Sequence, residues 1–168
     1  SFFALGLIVG SFLNVIICRY NTEKSLGGRS ACMSCRSQLH FYELIPLLSF
    51  IMLRGRCRTC KIKISIQYPL VEALTGIIFA LLFFKFQTVF YTSTFVFTGT
   101  FVFYALAFLL LLVIASYDIR HKIIPDRLSF IFGVLAFIGL FLFNSSGFSP
   151  HIPSVLEFFS GIILALPF

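Results

Sequence analysis

Charge is scarce in this sequence. Only 11% of its 168 residues are Asp, Glu, Lys or Arg, and only 6 of those are acidic, where soluble domains carry about a quarter charged residues. Against this stand 59% hydrophobic residues, 24 Phe among them, and a mean hydropathy of +1.02. A water-soluble globule is thereby excluded, because a chain of this length buries only about 70% of the surface its unfolded form exposes. An ordinary cytosolic enzyme, a secreted disulfide scaffold and a disordered tail go with it. The chain also lacks an internal repeat, a low-complexity tract and a linker long enough to join separate domains. It has no nucleotide-binding glycine motif followed by a strand–helix unit.

What fills the sequence is apolar runs of bilayer length. Crossing about 30 Å of hydrocarbon takes roughly 20 apolar residues, and four segments qualify, with part of a fifth. They run from Ser1 to Ile17, Tyr68 to Phe86, Phe95 to Tyr117, Leu128 to Phe143, and onward from Pro153 to Phe168. The first has no initiating Met and no basic leader region, so it reads as a trimmed span and not as a signal peptide. The expectation is an all-α polytopic membrane protein with about five transmembrane helices, the first and last truncated. It divides into a first span (1–17), a cytoplasmic metal-binding module (18–67) and a membrane core (68–168).

The 13 basic residues are unevenly spread. Arg19, Lys24, Arg29, Arg36, Arg54, Arg56, Arg58, Lys61 and Lys63 all fall in the loop between the first two spans. Flanked by spans, this block reads as a cytoplasmic loop and not as a nucleic-acid patch, since Lys and Arg beside spans set topology. It also lacks the aromatic interleaving that base stacking requires. The loops at 18–67 and 118–127 carry Arg and Lys, while those at 87–94 and 144–153 carry none. One orientation, with the N-terminus outside, satisfies them all.

Inside the large loop stand Cys32-Met-Ser-Cys35 and Cys57-Arg-Thr-Cys60, with 21 residues between the pairs. Two such knuckles point to a tetrahedral four-thiolate zinc site, and the neighbouring Arg36, Arg56, Arg58 and Lys61 favour thiolates. Reduced, unbound thiols or a redox pair are the alternatives. His40 and His121 are not needed as ligands, and Cys18 reads as a small packing residue at the end of the first span. The apolar run from Glu43 to Leu53 is too short to cross a bilayer and suits an interfacial or a domain-core helix, with the module resting against the membrane face.

With so few acids, each can be weighed. Asp118 closes a 23-residue stretch free of charge, at a span end where a carboxylate reaches interfacial water. Pairing with Arg120 or Lys122 is its alternative role. Asp126 after Pro125 suits a helix N-cap or first turn. Glu43 and Glu72 are placed to cap, to pair with the basic loop or to meet a substrate, and Glu157 lies at the far side. A membrane aspartic protease needs two carboxylates on one water, so that a base and an acid coexist. Asp118 suits the first, and no second acid completes the pair.

At these residues the chain resembles the type IV prepilin peptidases. The matching pieces are Gly10-Ser11-Phe12-Leu13-Asn14-Val15, Ser30-Ala31-Cys32-Met33-Ser34-Cys35, Glu43 to Ser49, Gly55-Arg56-Cys57-Arg58-Thr59-Cys60, Tyr68-Pro69-Leu70-Val71-Glu72 and Asp118 to Asp126. The resemblance implies an enzyme of the bacterial inner membrane that cuts leaders from prepilins and pseudopilins at the cytoplasmic face. It implies subsequent N-methylation from S-adenosylmethionine, Asp118 as first catalytic aspartate, Cys32, Cys35, Cys57 and Cys60 as zinc ligands, and Gly55 as a residue linked to methylation. The family's second aspartate belongs to a Gly-x-Gly-Asp motif that does not occur here, so a truncated chain, inactive alone, is expected. Because such leaders are basic, Glu43, Glu72 and Asp126 are the acidic groups available to meet them. A non-enzymatic membrane adaptor carrying a zinc ribbon is the rival reading, with prepilin and bilayer, and no nucleic acid, as partners of the first.

Overall fold

A computed structural model describes residues 1–19, 31–32, 34–40, 43, 45–122, 125–144 and 147–148. In chain order these form α1 (Phe2–Arg19), α2 (Leu48–Met52), α3 (Gln67–Thr92), α4 (Thr94–His121), α5 (Asp126–Leu142), β1 (Phe143–Asn144) and β2 (Gly147–Phe148). The two short strands pair antiparallel, Phe143 opposite Phe148. Helices α1, α3 and α4 are long and apolar enough to cross a membrane. They correspond to the first three expected spans. Helix α5, with 17 residues, rises about 25 Å, at the short end of what spans a bilayer. The fifth expected span lies outside the described residues, as do residues 20–30 of the basic loop.

The expected connection at 87–94 is nearly all helix. No Gly or Pro interrupts the chain there, so α3 runs on past Lys85 to Thr92, and Ser93 alone, with extended backbone (φ −154°, ψ 110°), separates it from α4. The opposite correction applies between the cysteine pairs. Among the described residues of the run from Glu43 to Leu53, the α-helix is confined to the five-residue α2, because Pro46 supplies no amide hydrogen and biases Ile45 away from helix. Leu47 then takes a positive φ of 58°. Asp126 opens α5, but the backbone carbonyl of Pro125 receives the Leu128 and Ser129 amides. Asp126 is therefore a first-turn acid favouring the helix dipole.

Helices α1 and α3 approach closely through glycine. A Cβ on Gly6 would stand 2.7 Å from the Gly76 Cα, and one on Gly10 would stand 2.8 Å from the Glu72 Cα. Such small-residue seams are how helices associate in lipid, where apolar burial gives no preference for protein over solvent. The Gly6-Leu7-Ile8-Val9-Gly10 spacing is a readable signal for it that the sequence reading did not use. Phe79, Leu82, Phe97, Phe101 and Ala105 pack at one end of the bundle, where Phe2 stacks on Phe83 at 4.4 Å between ring centroids. Leu13, Ile17, Val71 and Val113 form a second cluster toward the other end. Outward-facing Ile8, Phe12, Leu81, Phe84 and Phe95 are largely exposed, a surface suited to lipid and not to water.

Candidate functional site

The antiparallel packing brings the end of α1, the start of α3 and the end of α4 together, and the cysteine module sits between the first two in the chain. Each cysteine pair closes the same backbone turn. In the first, the Arg36 amide donates to the Cys32 carbonyl at 3.0 Å and the Cys32 amide donates to the Ser37 carbonyl at 3.0 Å. In the second, Lys61 donates to Cys57 at 3.0 Å and Cys57 donates to Ile62 at 2.9 Å. Arg36 and Lys61 both have positive φ, and the bridges Ala31–Gln38 and Arg56–Lys63 flank the two turns at equivalent places. The repeat not expected from sequence is thus a local one. Only the cysteines mark it, since the backbone geometry recurs while the other side chains differ.

The four sulfurs lie within 4.8 Å of one another, and all four cysteines are free of disulfides. Tetrahedral bonds of about 2.3 Å to sulfur require S–S edges of roughly 3.8 Å, and the Cys32–Cys60 separation is 3.8 Å. These residues can hold a metal ion. Three of these thiols are moved from their ordinary value by their surroundings. The Ser37 hydroxyl and amide hold Cys35 down at about 6, and the Cys60 and Thr59 amides lower Cys57. Cys60 receives the lowering Ile62 amide, yet desolvation and the neighbouring sulfurs of Cys57, Cys35 and Cys32 push it up to about 11.

Gly55 stands just ahead of the second turn with φ 64°, a conformation costly for any residue with a Cβ. Its amide donates to the Phe50 carbonyl at 2.9 Å and its carbonyl accepts from Ile64 at 2.7 Å. A Cβ there would also meet the Phe50 ring at 2.9 Å. The glycine closes α2 and launches the second knuckle.

Asp118 lies exposed in the last turn of α4, and its backbone carbonyl accepts the Lys122 amide. Two neighbouring contacts fix this end of the helix. Gln67 Nε2 donates to the Ser116 carbonyl at 3.2 Å, and Arg120 Nη1 donates to Cys18 Sγ at 3.5 Å. Cys18 in turn meets the Tyr68 hydroxyl at 3.2 Å, so it is a polar junction of three helices and not merely a packing residue. Asn14, which is buried, donates to the Tyr68 carbonyl at 3.0 Å. The position of Cys18 beside Arg19 was the available clue.

Glu43 and Glu72, read as able to cap, to pair with the basic loop or to meet a substrate, both accept backbone amides. Glu43 Oε2 accepts the His40 amide at 2.8 Å. Glu72, buried at the α1–α3 seam, accepts the Leu47 amide at 2.8 Å. That bond joins the cysteine module to the membrane helices. Glu72→Leu is expected to cost about 1–3 kcal/mol by orphaning the Leu47 amide, whereas Glu72→Gln keeps an acceptor and stays near wild type. Thermal unfolding of the full-length protein in detergent measures the difference.

Comparison with known proteins adds the following. The family described as Bacterial Peptidase A24 N-terminal domain matches residues 4–86. A prepilin leader peptidase/N-methyltransferase of Neisseria gonorrhoeae is 31% identical over an alignment covering 94% of this chain and 59% of that protein. The protein of the same name from Bacillus subtilis is 36% identical over 77% of this chain and 49% of its own length. That from Myxococcus xanthus is 55% identical over 46% of this chain and 23% of its own. The chain thus aligns with between about a quarter and three fifths of the length of these relatives. No solved structure matches it.

Proposed function

The chain belongs to the prepilin leader peptidase/N-methyltransferase family, and from that premise we propose that it acts as a membrane-embedded aspartic endopeptidase of the bacterial inner membrane. Its substrates are type IV prepilins and pseudopilins. It removes their leader at the cytoplasmic face and then N-methylates the new N-terminus. The observation that carries this reading is the placement of Asp118, which is exposed at the end of a 23-residue uncharged stretch of α4 and sits beside fixed contacts to α1 and α3.

In this reading Asp118 is one of two carboxylates that share a proton around a water. The ionised carboxylate takes a proton from the water as it attacks the scissile carbonyl, and the protonated one delivers a proton to the departing amine. The second carboxylate belongs to a Gly-x-Gly-Asp segment that these 168 residues do not contain. Zinc is the metal proposed for Cys32, Cys35, Cys57 and Cys60. A closed four-thiolate shell leaves no open position for substrate, so its part is to order the module. S-adenosylmethionine, when bound, supplies an electrophilic methyl group for the new amine. The part proposed for Gly55 is to shape the turn that this second activity depends on.

The test uses the full-length protein in membranes with a prepilin, following leader removal by mass. Cleavage is expected with Asp118 in place and a loss of at least about 100-fold with Asp118→Asn, the scale of acid–base catalysis. Undiminished cleavage by D118N would overturn the assignment.

A further inference from the structure

A cleft of about 520 Å³ opens beside the second knuckle, lined by Met52, Leu53, Arg54, Arg56, Cys57, Arg58 and Lys61. Four of its lining residues are cationic and none is acidic. On its rim, α2 presents Leu48, Ile51 and Met52 outward, the last two 69% and 74% exposed. Exposed apolar side chains are costly in water, and beside clustered arginines they fit an interface where apolar groups enter acyl chains and cations meet phosphates.

The depth of this segment is set by the bundle. The Leu47 amide, one residue before α2, is bonded to Glu72 in the second turn of α3, and five residues of rise put that point only about 7.5 Å inside the helix start. The neighbouring Ile66 and Leu70 of the same helix end also face outward. Helix α2 is therefore held at the level where the membrane helices leave hydrocarbon, with its apolar residues and the basic cleft side by side.

We infer that α2 and this cleft form a docking surface for anionic lipid, with Leu48, Ile51 and Met52 entering the acyl boundary and Arg54, Arg56 and Lys61 gripping phosphate headgroups. The inference needs only that α1, α3 and α4 cross a bilayer, and it stands apart from the protease reading.

The experiment places the full-length protein in nanodiscs of brominated phosphatidylcholine, alone or mixed with brominated phosphatidylglycerol. It compares Met52→Trp with the wild-type fluorescence background. Bromine quenching of the new indole is expected to be roughly two-fold stronger in the anionic discs, since each cation near such a surface favours contact several-fold. The Arg54→Gln/Arg56→Gln/Lys61→Gln variant is expected to lose that difference. Metal content per chain reports whether this variant keeps its module folded, and Arg54→Gln alone, the change farthest in sequence from the cysteines, replaces it if not. Equal quenching in both discs, or an indole open to acrylamide and untouched by bromine, would overturn the inference.

Discussion

Replacing Cys57 by Ser in the full-length protein is expected to empty the metal centre proposed for the four cysteines and unfold the module around it, while the membrane helices keep their packing. Cys57 is the one buried cysteine among the four, and its sulfur belongs to a cluster of four lying within 4.8 Å of one another, whose Cys32–Cys60 edge of 3.8 Å is that of a tetrahedral thiolate shell. A hydroxyl is a poor substitute, because soft thiolates are what select such a metal. Structural four-ligand sites contribute on the order of 10 kcal/mol of apparent binding energy, and among the described residues neither apolar cluster of the structure includes α2 or the two knuckles. Metal per chain is therefore expected to fall from one toward zero. Trypsin should then cut at Arg54, Arg56 and Arg58 many times faster. A strong chelator applied to the wild-type protein should do the same, and helical circular dichroism should change little in either case. Retention of one metal by Cys57→Ser, with unaltered trypsin resistance, would contradict a structural four-thiolate site.

The second large effect is expected from Gly10→Leu. The space beyond Gly10 is occupied by the Glu72 Cα at 2.8 Å and the Thr75 hydroxyl at 3.0 Å, and backbone cannot turn aside as a flexible side chain can. Overpacking of a tight interior commonly costs about 1–3 kcal/mol, and a four-carbon side chain against backbone belongs at the upper end. The helices must separate, and the Asn14–Tyr68 and Cys18–Tyr68 contacts further along the same pair are lost with them. Maleimide labelling of Cys18, read by peptide mass, should rise severalfold, and the unfolding temperature should drop. Gly99→Ala provides the contrast. A Cβ there meets nothing within 4 Å, so the same kind of change in α4 should be neutral or stabilising by about 0.5–1 kcal/mol.

What could be read from the residues follows from how local each feature is. The spans α1, α3 and α4 and the two Cys-x-x-Cys turns are short-range patterns, and the structure places them as expected. Helix α3 runs beyond the expected end at Phe86 because nothing between Gln87 and Thr92 breaks a helix. The run before Leu48 was expected to be helical on hydropathy, against the backbone restriction imposed by Pro46. The Glu72–Leu47 bond and the Cys18–Tyr68–Arg120 junction connect residues 25 to 102 positions apart, and no periodicity reports such pairings. Gly6 and Gly10 are a different case. Their spacing was open to view, and only its meaning in lipid had to be supplied.

The single residue Ser93 between α3 and α4 leaves this hairpin no slack. At 26 and 28 residues, its arms extend about 40 Å each, and they can slide past one another only by breaking the bend itself. At the open end, next to Asp118, the Gln67–Ser116 bond clasps the two arms. Mechanically, the pair is a closed fork. Whatever grips the cysteine module pulls on one tine through Glu72, and Asp118 rides on the tip of the other.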